Sequence, residues 1–300
     1  EEHHKAFPDK PFLGSENGHS LSAWKAVTDN AYISGQFLWT GIDYLGEANW
    51  PQRSAGCGCL DTCGFEKDAF YFYKSVWNQK EKFAYLCPHW NLKLEKGTVL
   101  PVICYTNCED AELFVNGRSF GMKSKGFPCY GMTERYGHFD RYRRPANTDD
   151  LFLSWDVPYE PGKIEVVGYH DGKEVCRYNV ETTGEAASIK LTVDKTSVDA
   201  DGRSIVQAEV RIVDGEGRLV LDACPELDFT LEGDAEIIGI DNGDPACHEQ
   251  WKETKGRHAF NGMAYAVIRA GQNKGELTLT VQASGVDAAI GKASVTISQK

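Results

Sequence analysis

The sequence predicts a multidomain, mainly β protein in which a short α/β segment precedes two immunoglobulin-like β-sandwiches. The 300 residues exceed the usual length of one domain. Aromatic residues and mixed helix and strand patterns are concentrated before residue 89, where the hydrophobic period changes to two. Short strands separated by turn residues at regular intervals begin again near Ala187. The predicted domains are therefore residues 1–88, 89–185 and 186–300.

The first segment alternates strands and helices. Pro11-Phe-Leu-Gly14 and Gly35-Gln-Phe-Leu-Trp39 are short apolar runs of the kind found in buried parallel strands. A helix capped by a serine is predicted over Ser20–Asn30, and a second helix over Lys67–Trp77. The order strand, helix, strand, loop, helix indicates part of an α/β layer.

The remaining segments are predicted to be all β. Asn116-Gly117 and Asp171-Gly172 predict hairpin turns, because these residue types tolerate positive φ. The polar, aromatic stretch Lys123–Asp150 is predicted to be an excursion from the sandwich. The predicted strands are Val99–Thr106, Ala111–Asn116, Leu151–Asp156, Lys163–His170 and Glu174–Glu181, followed by Ile189–Asp194, Ile205–Val213, Glu226–Leu231, Glu236–Ile240, Ala264–Arg269, Glu276–Ala283 and Ala293–Ser298.

Charge and hydropathy argue against several classes of partner. The formal net charge of −12 is unfavourable for binding nucleic acid or an anionic membrane. No apolar run approaches the roughly 20 residues of a membrane-spanning helix. Among the ten cysteines, Cys57-Gly-Cys59-Leu-Asp-Thr-Cys63 is the tightest cluster. It fits either a zinc site, for which no fourth ligand at the usual spacing is evident, or free structural thiols.

No cofactor is required by the residues present. A structural Ca²⁺ or Na⁺ remains open, and Asp241, Asp244 and Glu249 are the acidic residues that could hold it.

Candidate catalytic groups follow the two predicted parallel strands. Glu16 lies in Gly14-Ser-Glu-Asn-Gly-His19, at a strand end where α/β sheets and barrels carry their chemistry. It could be a glycosidase nucleophile flanked by Asn17 and His19, or it could cap the next helix. Trp39 ends the second strand and could stack on a sugar ring or belong to the core.

The loop after Trp39 offers further polar side chains. Asp43 and Tyr44 could hydrogen-bond sugar hydroxyls or merely face water. Sequence spacing alone leaves both alternatives open.

Several of these segments resemble glycoside hydrolase family 2, and most closely its β-galactosidase-like members from gut Bacteroidetes. Lys10-Pro-Phe-Leu-Gly-Ser-Glu-Asn-Gly-His19, Ser34-Gly-Gln-Phe-Leu-Trp-Thr-Gly-Ile-Asp-Tyr-Leu-Gly-Glu47 and Asp61-Thr-Cys-Gly-Phe-Glu-Lys-Asp68 look like the last two β/α units of that family's barrel. Ala111-Glu-Leu-Phe-Val-Asn-Gly117 and Ile240-Asp-Asn-Gly-Asp-Pro245 are similar to its sandwich domains.

The resemblance implies that residues 1–88 are the remnant of a (β/α)8 barrel. It implies that Glu16 is the nucleophile of a retaining β-glycosidase, and that Trp39 lines the sugar subsite with a strained or cis peptide after it. Asn17, His19, Asp43 and Tyr44 are then expected to bind substrate, a carbohydrate resembling a β-galactoside. A periplasmic or extracellular location is the expectation that the family suggests.

The same resemblance predicts an incomplete site. The family's general acid/base is a Glu of an Asn-Glu pair on barrel strand four, which would precede residue 1, so these 300 residues alone are expected to be inactive. Two β/α units cannot close a barrel, and apolar faces are expected to stay exposed. The remnant would then pack on a sandwich, self-associate or be partly disordered.

Two other functions are open. A carbohydrate-binding accessory module could use Tyr130, Tyr136, Tyr142 and Trp155, but the favoured interpretation is that the tyrosines cover the barrel as an interdomain contact. The second function is that of a surface adhesin built of immunoglobulin-like domains, although such a protein would not need the α/β segment. The choice between galactoside, glucuronide, mannoside and other pyranosides is also open.

Overall fold

The computed structural model describes residues 2–125, 151–252 and 255–300. Strands dominate these residues, so the prediction of a mainly β protein is confirmed. The helices are α1 (Glu2–Ala6), α2 (Leu21–Thr28) and α3 (Asp68–Trp77). Within the described ranges, no helix is long and apolar enough to cross a bilayer. Most of the predicted excursion Lys123–Asp150 lies outside the described residues.

The α/β segment forms an open two-stranded sheet. Strands β1 (Phe12–Asn17) and β2 (Ile33–Leu38) pair in parallel, as their apolar sequences predict. Helix α2 connects them and begins at the predicted cap, where the Ser20 hydroxyl accepts a hydrogen bond from the Ala23 amide at 3.0 Å. The side chains of Leu13 and Phe37 are 54% and 63% exposed. The prediction of uncovered apolar faces is confirmed, whereas self-association stays a prediction.

Two antiparallel sheets follow. Their strands are β5 (Ala84–Cys87), β6 (Val99–Thr106), β7 (Asp110–Val115), β8 (Arg118–Ser124), β9 (Leu153–Pro158), β10 (Lys163–His170) and β11 (Lys173–Glu181). One sheet has the order β5-β6-β9 and the other β11-β10-β7-β8. Apolar side chains of both sheets share one buried core. Asn116 and Asp171 both have a φ of 49°, so the two predicted hairpin turns are confirmed.

Strand β6 is buried on both of its faces. Val102 and Cys104 point into the core between the two sheets. Ile103 and Tyr105 point the other way, into a second core that includes Phe72 of α3. Because successive side chains of a strand alternate in direction, β6 links the helical layer to the sheets.

The last part of the chain has two further sheets around a third core. Its strands are β12 (Ser188–Val193), β13 (Ser197–Val198), β14 (Ile205–Val213), β15 (Glu226–Glu232), β16 (Ala235–Asp241), β17 (Gly256–His258), β18 (Met263–Ala270), β19 (Gly275–Ala283) and β20 (Lys292–Gln299). The sheet orders are β12-β14-β18-β16 and β13-β20-β19-β15-β17. Alternate residues of β14, such as Val206 and Val210, fill this core. A 3-10 helix over Gly285–Ile290 precedes β20.

Internal contacts divide the chain into two compact units. The first takes in Glu1–Asp43, Cys57–Leu60 and Glu66–Thr182, and the second Tyr44–Gly56, Asp61–Phe65 and Thr183–Lys300. The loop after β2, with its short strands β3 (Tyr44–Leu45) and β4 (Ser54–Ala55), therefore belongs largely to the second unit. The three predicted domains, 1–88, 89–185 and 186–300, stay a prediction.

Candidate active site

The ends of β1 and β2 lie side by side in the first unit. Asn17 pairs with Leu38, and the Trp39 amide donates a hydrogen bond to the Asn17 carbonyl oxygen at 2.8 Å. Glu16 precedes this contact and its side chain is exposed. The carboxyl ends of parallel strands share one edge of a sheet, so the candidate nucleophile and the candidate sugar-stacking residue occupy the same edge.

The Asn17 side chain lies along the sheet. Its amide group donates to the side-chain carbonyl of Gln36 at 2.8 Å. A methyl group added at Gly14 would clash with the Asn17 amide, so glycine at that position leaves the space this side chain occupies. Asn17 therefore ties β1 to β2, and its predicted contact with substrate stays a prediction.

Trp39 is joined to Thr40 by a cis peptide bond, which confirms the expectation of a strained or cis peptide drawn from the family resemblance. The indole is 45% exposed. Several groups hold the Thr40 backbone: its amide donates to the Cys57 carbonyl at 3.1 Å, and its carbonyl accepts from the Cys59 amide at 3.2 Å. These contacts fix the peptide while leaving part of the indole open to solvent.

His19 supports the same peptide. Its Nε2 lies 3.2 Å from the Thr40 carbonyl oxygen and 3.8 Å from the Cys59 sulfur, and the ring meets Tyr73 edge to face. A carbonyl oxygen only accepts hydrogen bonds, so Nε2 carries the proton. Burial lowers the pKa of His19, and the nearby Lys67 charge lowers it further, against the Thr40 hydrogen bond, which raises it. The neutral ring thus braces Thr40.

Asp43 is buried, and its carboxylate is bound from two sides. Lys67 Nζ lies 2.9 and 3.0 Å from its two oxygens, and the Gly58 amide donates to Oδ1 at 2.6 Å. A methyl group at Gly58 would clash with the backbone of Asp43 and Leu60. Asp43 therefore fastens the loop after β2 to the start of α3, and a direct contact of Asp43 with sugar stays a prediction.

Tyr44 belongs to the second unit, where its hydroxyl donates to the Glu47 carboxylate. Residues of the loop that carries it are held by the last sandwich. The Arg53 amide donates to the Pro245 carbonyl at 2.8 Å, and His248 Nε2 lies 2.7 Å from the Pro51 carbonyl. The motif Ile240-Asp-Asn-Gly-Asp-Pro245 thus has a structural role that its sequence did not reveal.

Trp50 was missed by sequence reasoning. It lies on the same loop, before a cis proline, and its side chain is 82% exposed although His248 contacts the ring. An exposed tryptophan on an anchored loop is a candidate surface for stacking on sugar. The only sequence signal was a tryptophan within a loop rich in Gly, Pro and Asn.

Trp155 was one of four residues that an accessory binding module could use, and the structure contradicts this role. The side chain is buried in the core between the two sheets, and its indole N–H donates to the Gly121 carbonyl at 3.0 Å. Its place in strand β9, with inward and outward positions alternating, made burial the better interpretation. Tyr130, Tyr136 and Tyr142 lie outside the described residues.

Two of the acidic residues considered as ligands of a structural cation make ion pairs instead. Asp241 and Glu249 both contact the buried guanidinium of Arg257. Burial raises the pKa of Cys59 to about 11 and that of Cys63 still further, as expected for structural thiols. In the part of the chain that the structure describes, the only His, Cys, Asp and Glu ligand atoms that converge are those of Glu109, His170 and Asp171, on the surface at a hairpin turn.

Comparison with known proteins identifies the family. A model of the glycoside hydrolase family 2 C-terminal domain 5 matches residues 189–291, and one described as a domain of unknown function matches residues 97–176. The chain is 35% identical to the β-galactosidase BoGH2A of Bacteroides ovatus, over 97% of the chain and 32% of that protein. The chain belongs to glycoside hydrolase family 2.

Other glycosidases match in sequence or structure. A family 2 glycosyl hydrolase from Bacteroides cellulosilyticus has a TM-score of 0.84 and 28% identity, over 100% of this chain and 40% of its own. A β-glycosidase from Bacteroides vulgatus has a TM-score of 0.79 and 31% identity, over 92% and 32%. A β-glucuronidase of Formosa agariphila is 29% identical over 77% of the chain and 23% of that protein. This family 2 chain spans about a third of the length of BoGH2A and about a quarter of that of the β-glucuronidase.

Proposed function

We propose that this chain is the nucleophile-bearing portion of a retaining β-glycosidase that hydrolyses terminal β-linked sugars. The observation that carries the proposal is the exposed Glu16 at the end of β1, beside the Trp39 backbone at the end of β2. A nucleophilic carboxylate must be reached by the anomeric carbon of the sugar. Glu16 is open to solvent, whereas Asp43 is buried and already bound by Lys67.

The chemistry is a double displacement. A Glu16 oxygen attacks the anomeric carbon, the glycosidic oxygen leaves with a proton from a second carboxyl group, and a glycosyl ester forms on Glu16. Water activated by the same second group then hydrolyses the ester. We infer that this acid/base lies outside residues 1–300 and that these residues alone do not turn over ordinary glycosides. The mechanism requires the two carboxyl groups about 5–5.5 Å apart.

We propose β-galactosides as the substrate class. The support is the similarity to BoGH2A, a β-galactosidase, over nearly the whole chain. The β-glucuronidase of Formosa agariphila matches a smaller share at lower identity. The half-exposed indole of Trp39 would stack on the apolar face of the pyranose. Asn17 and His19 would orient the sugar hydroxyls, each alongside the internal hydrogen bond it already makes.

A carbohydrate-binding module without catalysis is the second candidate. The observation in its favour is Trp50, which is 82% exposed on a loop held by Pro245 and His248. Aromatic faces presented in this way bind sugars without covalent chemistry.

Covalent labelling tests the first candidate. The folded chain is incubated with 2,4-dinitrophenyl 2-deoxy-2-fluoro-β-D-galactoside, because dinitrophenolate leaves without protonation and the fluorine slows hydrolysis of the ester. We expect one fluorogalactosyl group on Glu16, located by peptide mass spectrometry. Glu16→Gln should lose the label, and Glu2→Gln, which changes another exposed glutamate, should keep it.

The outcomes separate the candidates. A label on another carboxylate, or unchanged labelling of Glu16→Gln, contradicts the assigned nucleophile. Labelling of Glu16 by the corresponding glucuronide reagent alone keeps the mechanism and overturns the galactoside. Saturable binding of galactosides without labelling by either reagent favours the binding module.

A further inference from the structure

Two cysteines of the first unit face each other across a strand. The Sγ atoms of Cys108, which lies between β6 and β7, and of Cys176, in β11, are 3.6 Å apart. The residues are 68 positions apart in the sequence. Both are free thiols in the structure. A disulfide bond needs the sulfurs to close to about 2.05 Å, so the remaining gap is about 1.5 Å.

Gly168 creates the space in which the two sulfurs meet. It lies in β10, paired with Cys176 on one side and with Ala111 of β7 on the other. A methyl group at Gly168 would lie 2.7 Å from both sulfur atoms, closer than such contacts allow. The glycine therefore leaves an opening that the two sulfurs share, and a bond between them would cross over β10 without a side chain in the way.

The two thiols differ in accessibility. Cys108 is buried, whereas Cys176 is partly exposed. The hydrogen bond with Cys176 lowers the pKa of Cys108, and Thr106 and the charges of Lys82 and Lys125 act in the same direction, against the effect of burial. The pKa of Cys176 is raised by the same contact and by burial. The inner sulfur is thus the one that ionises first, and the outer one meets solvent.

We propose that Cys108 and Cys176 are a modification site at which the protein forms an intramolecular disulfide bond. The oxidant is a small dialkyl disulfide. The Cys176 thiol, which meets solvent, gives its proton to the Cys108 thiolate as it attacks one sulfur of the oxidant. A mixed disulfide forms as the first small thiolate leaves and takes that proton, which restores the Cys108 thiolate. The Cys108 thiolate then attacks the Cys176 sulfur and expels the second thiolate. Two protein thiols and one small disulfide become one protein disulfide and two small thiols.

The bond would fasten a segment that already holds the end of α3. Asn107, next to Cys108, donates to the carbonyl oxygens of Asn78 and Glu81 at 2.8 and 2.7 Å. A link from Cys108 to β11 would fix this turn covalently to the four-stranded sheet. Because the crosslink also restricts the unfolded chain, the oxidised protein should resist unfolding more than the reduced protein.

The test treats the folded protein with oxidised glutathione, blocks the remaining thiols with iodoacetamide, and maps disulfides by tandem mass spectrometry. Cys104 lies in the same tryptic peptide as Cys108, so fragment ions must assign the bond. We expect a Cys108–Cys176 link in the wild type and in Cys224→Ser, which removes an exposed thiol. Cys176→Ser should lack the link and should lose the shift of the urea midpoint that oxidation produces in the wild type.

Other outcomes overturn the proposal. These are recovery of Cys176 as a glutathione adduct beside an alkylated Cys108, recovery of both as alkylated thiols, or a bond from either residue to Cys104. Unchanged circular dichroism of Cys176→Ser shows that the variant still folds. The loss of the link is then due to the missing thiol and not to unfolding.

Discussion

His19 and Asp43 show how far polar residues near a strand end can be interpreted from sequence. Both follow the strands β1 and β2 in the sequence, and the family resemblance implied that they bind substrate. In the structure, His19 braces the Thr40 carbonyl, and Asp43 binds Lys67, which is 24 residues further along the chain. Sequence spacing indicated the edge of the sheet correctly. It could not indicate which polar atoms already have partners, because those partners are brought in by the fold.

His19 gives a prediction on pH. Since burial lowers its pKa from 6.5 in the folded state, the unfolded chain binds this proton more tightly. The stability that neutral His19 contributes is therefore present above pH 6.5 and is lost as the pH falls through the folded-state pKa. NMR titration of the ring protons, assigned with His19→Gln, should give a value below 6.5. A midpoint at or above 6.5 contradicts the structure.

Strands and helices were the most predictable level of the protein. The predicted bounds of Val99–Thr106, Lys163–His170 and Ile205–Val213 are those observed, because each strand is long and carries a clear apolar pattern. Strands β3, β4, β13 and β17 were missed, since two or three residues show no periodicity, and the longer strands β5 and β8 were also missed. The pattern of β6 predicted a strand, but only the packing of α3 reveals that both of its faces are buried.

The loop after β2 gives a prediction on glycine. Gly58→Ala places a methyl group against the backbone of Asp43 and Leu60 and should lower the free energy of unfolding by about 2 kcal/mol. Gly56→Ala is the matched control, because open space surrounds that position and the change should be well under about 1 kcal/mol. Urea unfolding of both variants checks the difference. Equal effects would mean that the tight approach at Gly58 is not real.

Across the entire protein, the chain passes several times between its two units. Tyr44–Gly56 and Asp61–Phe65 have their contacts with Thr183–Lys300, whereas Cys57–Leu60 between them belongs to the first unit. Composition and periodicity predicted boundaries near residues 88 and 185. They cannot reveal that a short segment belongs to a unit other than that of its neighbours in the sequence. This division follows from contacts such as Arg53 with Pro245, between residues almost two hundred positions apart.

Arg257 gives a prediction on the second unit. Its guanidinium is fully buried, pairs with Asp241, and donates to the Glu249 carbonyl at 2.8 Å. Arg257→Ala leaves the Asp241 carboxylate without its charged partner and should lower the free energy of unfolding of this unit by about 3 kcal/mol.

Arg269→Ala is the control for that prediction. Arg269 also pairs with a carboxylate, that of Glu236, but both side chains are about half exposed or more, so the loss should stay below about 1 kcal/mol. Unfolding in urea, followed by tryptophan fluorescence, measures both changes. A stability of Arg257→Ala within error of Arg269→Ala would refute the structural role of the buried pair.

Pro245 and His248 hold the loop around Pro51 and Arg53. These contacts also restrict which hybrids between related genes can fold. A crossover near residue 183 would join a last sandwich from one ancestor to a loop from another. Unless the two parent sequences are alike at both ends of these contacts, the hybrid carries a loop that lacks the residues that hold it. Successful hybrids should therefore inherit residues 44–65 and 240–250 from the same parent.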